Sequence, residues 1–170
     1  MRLLLAFLLA AAPAMAVGEV VSSAPGGFES RNVKVVSATP AETFAMLGRP
    51  GEWWSGEHSY SGEPKNLSMK LEPGGCFCEK LPDGGGVEHG RLLSVVPRKR
   101  LVLSAPLGPL QAEGVAATLS WSLEAVEGGT EVTQTLVVGG FIRGGAEKLA
   151  APVDAVLAEQ LTRLQALLAD

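Results

Sequence analysis

The sequence predicts an α+β fold in which a curved antiparallel sheet of about seven strands packs on one long C-terminal helix. Three observations carry this. Between Leu67 and Val138 apolar residues recur with period two, interrupted by turn signals of Gly, Pro and Asp. From Leu149 to Leu168 the period changes to three and four, the spacing of one helix face. Between the first strand and this run, Thr39-Pro40 and Trp53-Trp54 mark two short helical stretches.

Each element has its own local reason. Phe28 to Ser37, with Val33, Val35 and Val36, reads as the first strand. Thr39 is placed to cap a helix with Pro40 at its first position and Phe44 and Leu47 on one side, ending at Gly48 and Pro50. A second short turn or helix carries Trp53-Trp54. Breaks at Pro73-Gly74-Gly75, Asp83 to Gly86, Pro97-Arg98, Pro106 to Pro109 and Gly128-Gly129 then separate about six strands joined as hairpins. Val115 to Val126 alternates most clearly, with Leu119, Trp121 and Leu123 on one face and Ser120 and Ser122 on the other. The closing helix aligns Leu149, Val153, Val156, Leu157, Leu161, Leu164 and Leu168, while Glu147, Asp154, Glu159 and Arg163 fall between them.

The chain has 170 residues, with 14 Lys plus Arg against 18 Asp plus Glu. An acidic balance argues against binding a phosphate backbone, so no nucleic-acid partner is expected. The basic run Arg98-Lys99-Arg100 follows Pro97 between two apolar stretches and reads as a solvated hairpin turn. Residues 1–16 read as a secretory signal peptide: Arg2, an apolar run from Leu3 to Ala12, Pro13, and the small-residue pattern Ala14-Met15-Ala16. That run is too short to cross a bilayer, which takes roughly 20 apolar residues. The expectation is export to a periplasmic or extracellular space, no membrane span, and one domain over residues 17–170. Outside the cytoplasm ATP and nicotinamides are scarce, and no cofactor is expected.

Several blocks resemble the START-like, or SRPBCC, superfamily of helix-grip proteins, in its polyketide cyclase/dehydrase or Aha-type branch. Val33-Lys34-Val35-Val36 followed by Thr39 to Phe44 is similar to the first strand entering the first helix, and Trp53-Trp54-Ser55 to the tryptophan segment after it. Pro73 to Glu79 resembles a Gly-Gly-x-Phe hairpin strand, with Gly90 to Leu93 returning and Pro97 to Leu101 turning into the next strand. The resemblance covers Phe28 to Leu168 and implies a helix-grip fold with a cavity between sheet and helix. Members hold lipids, sterols, polyketides or other apolar molecules there, some as enzymes and others as carriers. No catalytic set is common to them.

The polar candidates are few, with two His (His58, His89) and two Cys (Cys76, Cys78) in the chain. Cys76, Cys78, Glu79, Glu88 and His89 share one predicted hairpin turning at Asp83 to Gly86. In one register Cys78 faces Arg91 and both sulfurs share the face of His89, a Cys76, Cys78, His89 cluster that His58 could complete as a zinc or copper site. In the other, slipped by one residue, Glu79 lies opposite His89, the pairing in which a carboxylate orients an imidazole for acid and base work. Tyr60 or His58 would then be the second proton donor. The preferred reading of the pair is a cross-strand ion pair on the outer face. Residues two apart in a strand are about 6.6 Å apart, near the limit of disulfide geometry, so reduced thiols are the first expectation for Cys76 and Cys78, with a disulfide between them still open in an oxidising compartment.

The aromatic residues Trp53, Trp54 and Trp121 line either a pocket or the core, and Gln134, in phase with Val132 and Leu136, turns a polar group inward. The expected ligand-lining set is Trp53, Trp54, His58, Tyr60, Cys78, Trp121 and Gln134. The reading favoured here is an exported carrier or sensor of a small apolar or amphipathic molecule. The alternative is a cyclase, isomerase or hydrolase using His89 and Glu79. A protein-interaction module resembling the chaperone activators of this fold is a third class.

Overall fold

The computed structural model describes residues 19–169. The proposed signal peptide lies outside the described residues. Strands β1 (Glu19–Ala24) and β2 (Gly27–Val36) lead into helices α1 (Pro40–Leu47) and α2 (Pro50–Trp53). Strands β3 (Leu67–Met69), β4 (Cys76–Lys80), β5 (Gly86–Val96), β6 (Arg100–Ser104), β7 (Gly114–Val126) and β8 (Gly129–Phe141) follow, and α3 (Glu147–Leu167) closes the chain. The strands form one antiparallel sheet in the order β1-β2-β8-β7-β6-β5-β4-β3.

The architecture is the expected helix-grip, with eight strands where about seven are predicted. The additional strand is β1, which pairs with β2 at the sheet edge and keeps nearly all its side chains in solvent. Only Val20 packs against the core, so there is no apolar alternation to read. Helix α1 begins as predicted: the Thr39 hydroxyl accepts from the Glu42 amide at 3.3 Å, and the Glu42 carboxylate accepts from the Thr39 amide at 2.8 Å.

The inner face of the sheet follows the period of two. Phe77 on β4, Leu101 and Leu103 on β6, Leu119 and Trp121 on β7, and Val132 and Leu136 on β8 are buried in one core with Leu157, Leu161 and Leu164 of α3. On β2 the sequence pattern misleads, because Val35 is 45% exposed while Ser30 and Asn32 point inward. Their partner is Asp154 of α3, placed by periodicity among the solvated helix residues but buried here. Its carboxylate accepts from Ser30 Oγ at 2.5 Å and from Asn32 Nδ2 at 3.1 Å. Polar residues on two elements thus satisfy one another inside the core, which no single-element pattern reveals.

The β4–β5 hairpin adopts neither predicted register. Glu79 pairs with Val87 and Cys78 with Glu88, whereas Phe77 pairs with Gly90. His89 is the extra residue of a β-bulge on β5. Cys76 and Cys78 form a disulfide, correcting the expectation of free thiols. Their Cα atoms lie 5.4 Å apart opposite the bulge, closer than in a regular strand and within disulfide reach. So short a closed loop contributes only about 1–2 kcal/mol in the chain-entropy account. Phe77 and Glu79 occupy the inner face, so the two cysteines between and beside them lie on the outer face, away from His89. The Cys76, Cys78, His89 metal cluster is therefore ruled out by both bonding and facing.

Candidate functional site

A pocket of about 310 Å³ lies between the inner face of β5, the first half of α3, the segment from Trp54 to Tyr60 and the loop from Leu107 to Pro109. Its walls are apolar: Leu107 and Pro109 on one side, Pro152, Val153, Val156 and Leu157 of α3 on another, with Trp54 at the base. Tyr60 stands at the opening, 54% exposed.

One of these walls, the tryptophan segment, is tied to α3 by polar contacts. The Ser55 amide donates to Gln160 Oε1 at 2.7 Å, and Arg163 Nε donates to the Trp53 carbonyl at 2.9 Å, fixing the tryptophan segment on the helix. Trp54 Nε1 donates to the His58 carbonyl at 3.0 Å, which curls the chain back over the pocket. On the other side Tyr60 donates from its hydroxyl to Gln111 Oε1 at 2.9 Å, and Gln111 Nε2 donates to the Glu88 carbonyl at 2.8 Å. That chain of bonds links the tyrosine, the 107–112 loop and β5.

His89 is the polar group of the wall. The bulge turns its side chain inward, where its ring lies between Phe77 and Tyr60, with centroids 5.1 Å and 5.8 Å away. Its Nε2 is 2.8 Å from Glu79 Oε2. Glu79 is itself buried and accepts from the Tyr60 amide at 3.0 Å and the Ser61 amide at 2.5 Å. Burial works against its charge, but hydrogen bonds from Ser61, from the Tyr60 amide and from His89 outweigh that cost and hold the carboxyl below its ordinary range. Glu79 is an anion that orients an imidazole. The pairing expected from the slipped register forms, but through the bulge.

At the rim His58 Nε2 lies 3.0 Å from Glu159 Oε2, a second and more exposed histidine–glutamate contact. Chemically, the site combines an apolar enclosure with one oriented imidazole. The Ser59 hydroxyl is committed to the Gly56 carbonyl at 3.0 Å. Among the described residues, no group of three or more metal-ligating side chains is assembled, and no helix is long and apolar enough to cross a membrane.

Of the expected ligand-lining residues, Trp54, His58 and Tyr60 stand on the pocket together with His89. Trp53, Trp121 and Gln134 do not. Trp53 is buried and donates from Nε1 to the Met46 carbonyl at 2.9 Å. Trp121 is fully buried in the core, where its Nε1 donates to the Gln134 side-chain oxygen at 3.0 Å. Gln134 Nε2 donates to the Leu157 carbonyl at 3.1 Å, so its polarity is spent within the protein. Cys78 is on the far face of the sheet. The residues missed include Leu107, Pro109, Pro152, Val153, Val156 and Leu157: the loop registers only as a turn, the valines and Leu157 only as core spacing, and Pro152 not at all.

The family whose members are described as activator of Hsp90 ATPase homolog 1-like proteins matches residues 37–169. No curated protein is detectably similar in sequence. Among solved structures, protein MLL2253 from Mesorhizobium loti has a TM-score of 0.60 at 18% identity, covering 82% of this chain and 96% of that one. An uncharacterised protein from Rhizobium leguminosarum has a TM-score of 0.61 at 19% identity, covering 91% and 97%. The di-domain ARO/CYC StfQ of the steffimycin biosynthetic pathway has a TM-score of 0.57 at 14% identity, covering 85% of this chain and 51% of its own. These likenesses establish the START-like fold.

Proposed function

This chain belongs to the activator of Hsp90 ATPase homolog 1-like family within the START-like superfamily, and from that premise we propose that it is an exported carrier or sensor of a small apolar or amphipathic molecule. The observation that carries the proposal is the apolar pocket of about 310 Å³ under α3, at the lower end of the range of small-molecule sites. Its few polar groups are mostly engaged with the protein itself, which suits holding a ligand better than transforming it. Export is supported by the pattern of residues 1–16 and by the Cys76–Cys78 disulfide, a bond that persists in oxidising compartments. Protein recovered from the envelope or medium is expected to begin at Val17 and to present alkylatable thiols only after reduction. A retained Met1 would refute export.

Val156 is half-buried on the pocket wall, so Val156→Trp should fill the pocket and leave the core beneath it in place. Naphthalene, followed by quenching of tryptophan fluorescence, is expected to bind the parent and to lose at least about tenfold in affinity in the variant, since its burial would be largely forfeited. Equal binding by the two proteins, with unchanged melting, would remove the pocket as the site.

A second reading is favoured by one specific observation, the Glu79–His89 contact of 2.8 Å on the pocket wall. It would make the protein an enzyme with His89 as base, and StfQ shows that this fold occurs in an ARO/CYC protein. The two readings differ in turnover. Loss of turnover in His89→Ala, with ligand affinity retained, is the enzyme's signature.

A further inference from the structure

We infer that the molecule held in this pocket carries a neutral hydroxyl group, phenolic or alcoholic, which donates a hydrogen bond to Nδ1 of His89. The inference rests on the pocket being the ligand site and specifies the chemistry of that ligand.

It follows from counting donors and acceptors around the cavity. The Trp54 N–H is used by the His58 carbonyl, the Tyr60 hydroxyl by Gln111, and the Ser59 hydroxyl by Gly56. His58 Nε2 is turned to Glu159. His89 is different. Glu79, an ionised carboxylate, has only acceptor atoms, so the imidazole nitrogen 2.8 Å from it is the one bearing hydrogen. In the neutral ring Nδ1 then carries the lone pair. No described side chain or backbone group donates to it, and His89 lines the pocket. The protein thus presents an acceptor that a ligand's donor can satisfy.

The sign of the surroundings selects the donor. A ligand carboxylate would bring its charge against the Nδ1 lone pair, with the Glu79 anion on the other side of the same ring. An ammonium group would have to shed its hydration among Leu107, Pro109, Val153 and Val156, with Glu79 already engaged by Tyr60, Ser61 and His89. A neutral O–H meets neither penalty. The bulge that makes His89 the unpaired residue of β5 is what aims the ring inward, so this specificity is set by the sheet irregularity.

Four probes of one shape test it in the full mature protein: naphthalene, 2-naphthol, 2-naphthoate and 2-naphthylmethylammonium, titrated at mildly alkaline pH. Expected is 2-naphthol binding about fivefold tighter than naphthalene, the scale of one net hydrogen bond, with both ions weaker. The advantage should vanish in His89→Phe, which keeps an aromatic ring. Should that variant not fold, nitrogen NMR of the parent gives the same answer: proton on Nε2, and a shift of the Nδ1 resonance when 2-naphthol is added. A proton on Nδ1, equal binding of 2-naphthol and naphthalene, or tightest binding by either ion would overturn the inference while leaving the pocket as a ligand site. Failure of all four probes to bind would overturn the pocket itself and the inference with it.

Discussion

Glu79→Ala is expected to destabilise the protein by about 3–5 kcal/mol, the usual cost of removing one partner from a buried pair. The loss is large because one carboxylate serves three groups: it accepts from the amides of Tyr60 and Ser61 and from His89. Without it a buried imidazole and two amides lose their acceptor, and the segment over the pocket loses its anchor. The same carboxylate makes stability depend on acid. Its folded value lies below the ordinary 4.5, so between the two values the unfolded chain binds more protons than the folded one. The stabilisation is fully present above the ordinary value and is lost as pH falls through the folded value. Urea unfolding of parent and Glu79→Gln, measured from neutrality down to about pH 3, should show the parent falling more steeply across this carboxylate window. Parallel curves would mean that Glu79 is not held as an anion.

Trp121→Ala should be at least as damaging, and for a different reason. The indole is fully buried and meets Trp53 edge-on at a centroid distance of 6.4 Å. Truncating a buried tryptophan costs about 3–5 kcal/mol in lost contacts and cavity. The Gln134 oxygen that accepted its N–H is then left unmet, at a further cost of about 1–3 kcal/mol. The total approaches the whole stability of an average domain, roughly 5–15 kcal/mol, so the variant is expected to lose cooperative melting near ambient temperature. Trp121→Phe separates the contributions, retaining most of the packing and removing only the donor. Because Trp121 is not on the pocket wall, naphthalene binding should survive in the phenylalanine variant. A strong loss of affinity there, with melting intact, would return this residue to the ligand site.

The two variants show where the sequence was legible. Trp121 is identified as inward-facing by strict alternation along Leu119, Trp121 and Leu123, and the structure agrees, but alternation cannot tell a core wall from a pocket wall. Glu79 and His89 are found as a candidate pair because one hairpin carries both. Their contact depends on a bulge, and a one-residue insertion into a ladder has no signature in hydrophobic period. The disulfide ranked behind free thiols for the same reason, since the 6.6 Å expectation holds only for a regular strand, about 3.3 Å per residue.

The order and type of the elements are local properties of the chain: the capped helix at Thr39, the hairpin strands and the closing helix. Those follow from capping chemistry, turn residues and periodicity, which act within a few residues along the chain. The remaining features depend on contacts across the closed fold. That fold brought Asp154 to Ser30 and Asn32, gave Gln134 to Trp121 and Leu157, turned His89 inward at the bulge, and built the pocket from a loop and a helix that read only as turn and core. Each of these pairs partners distant in sequence, and their energies come from mutual satisfaction of buried polar groups and shared apolar surface, quantities that exist only once the sheet has closed on α3.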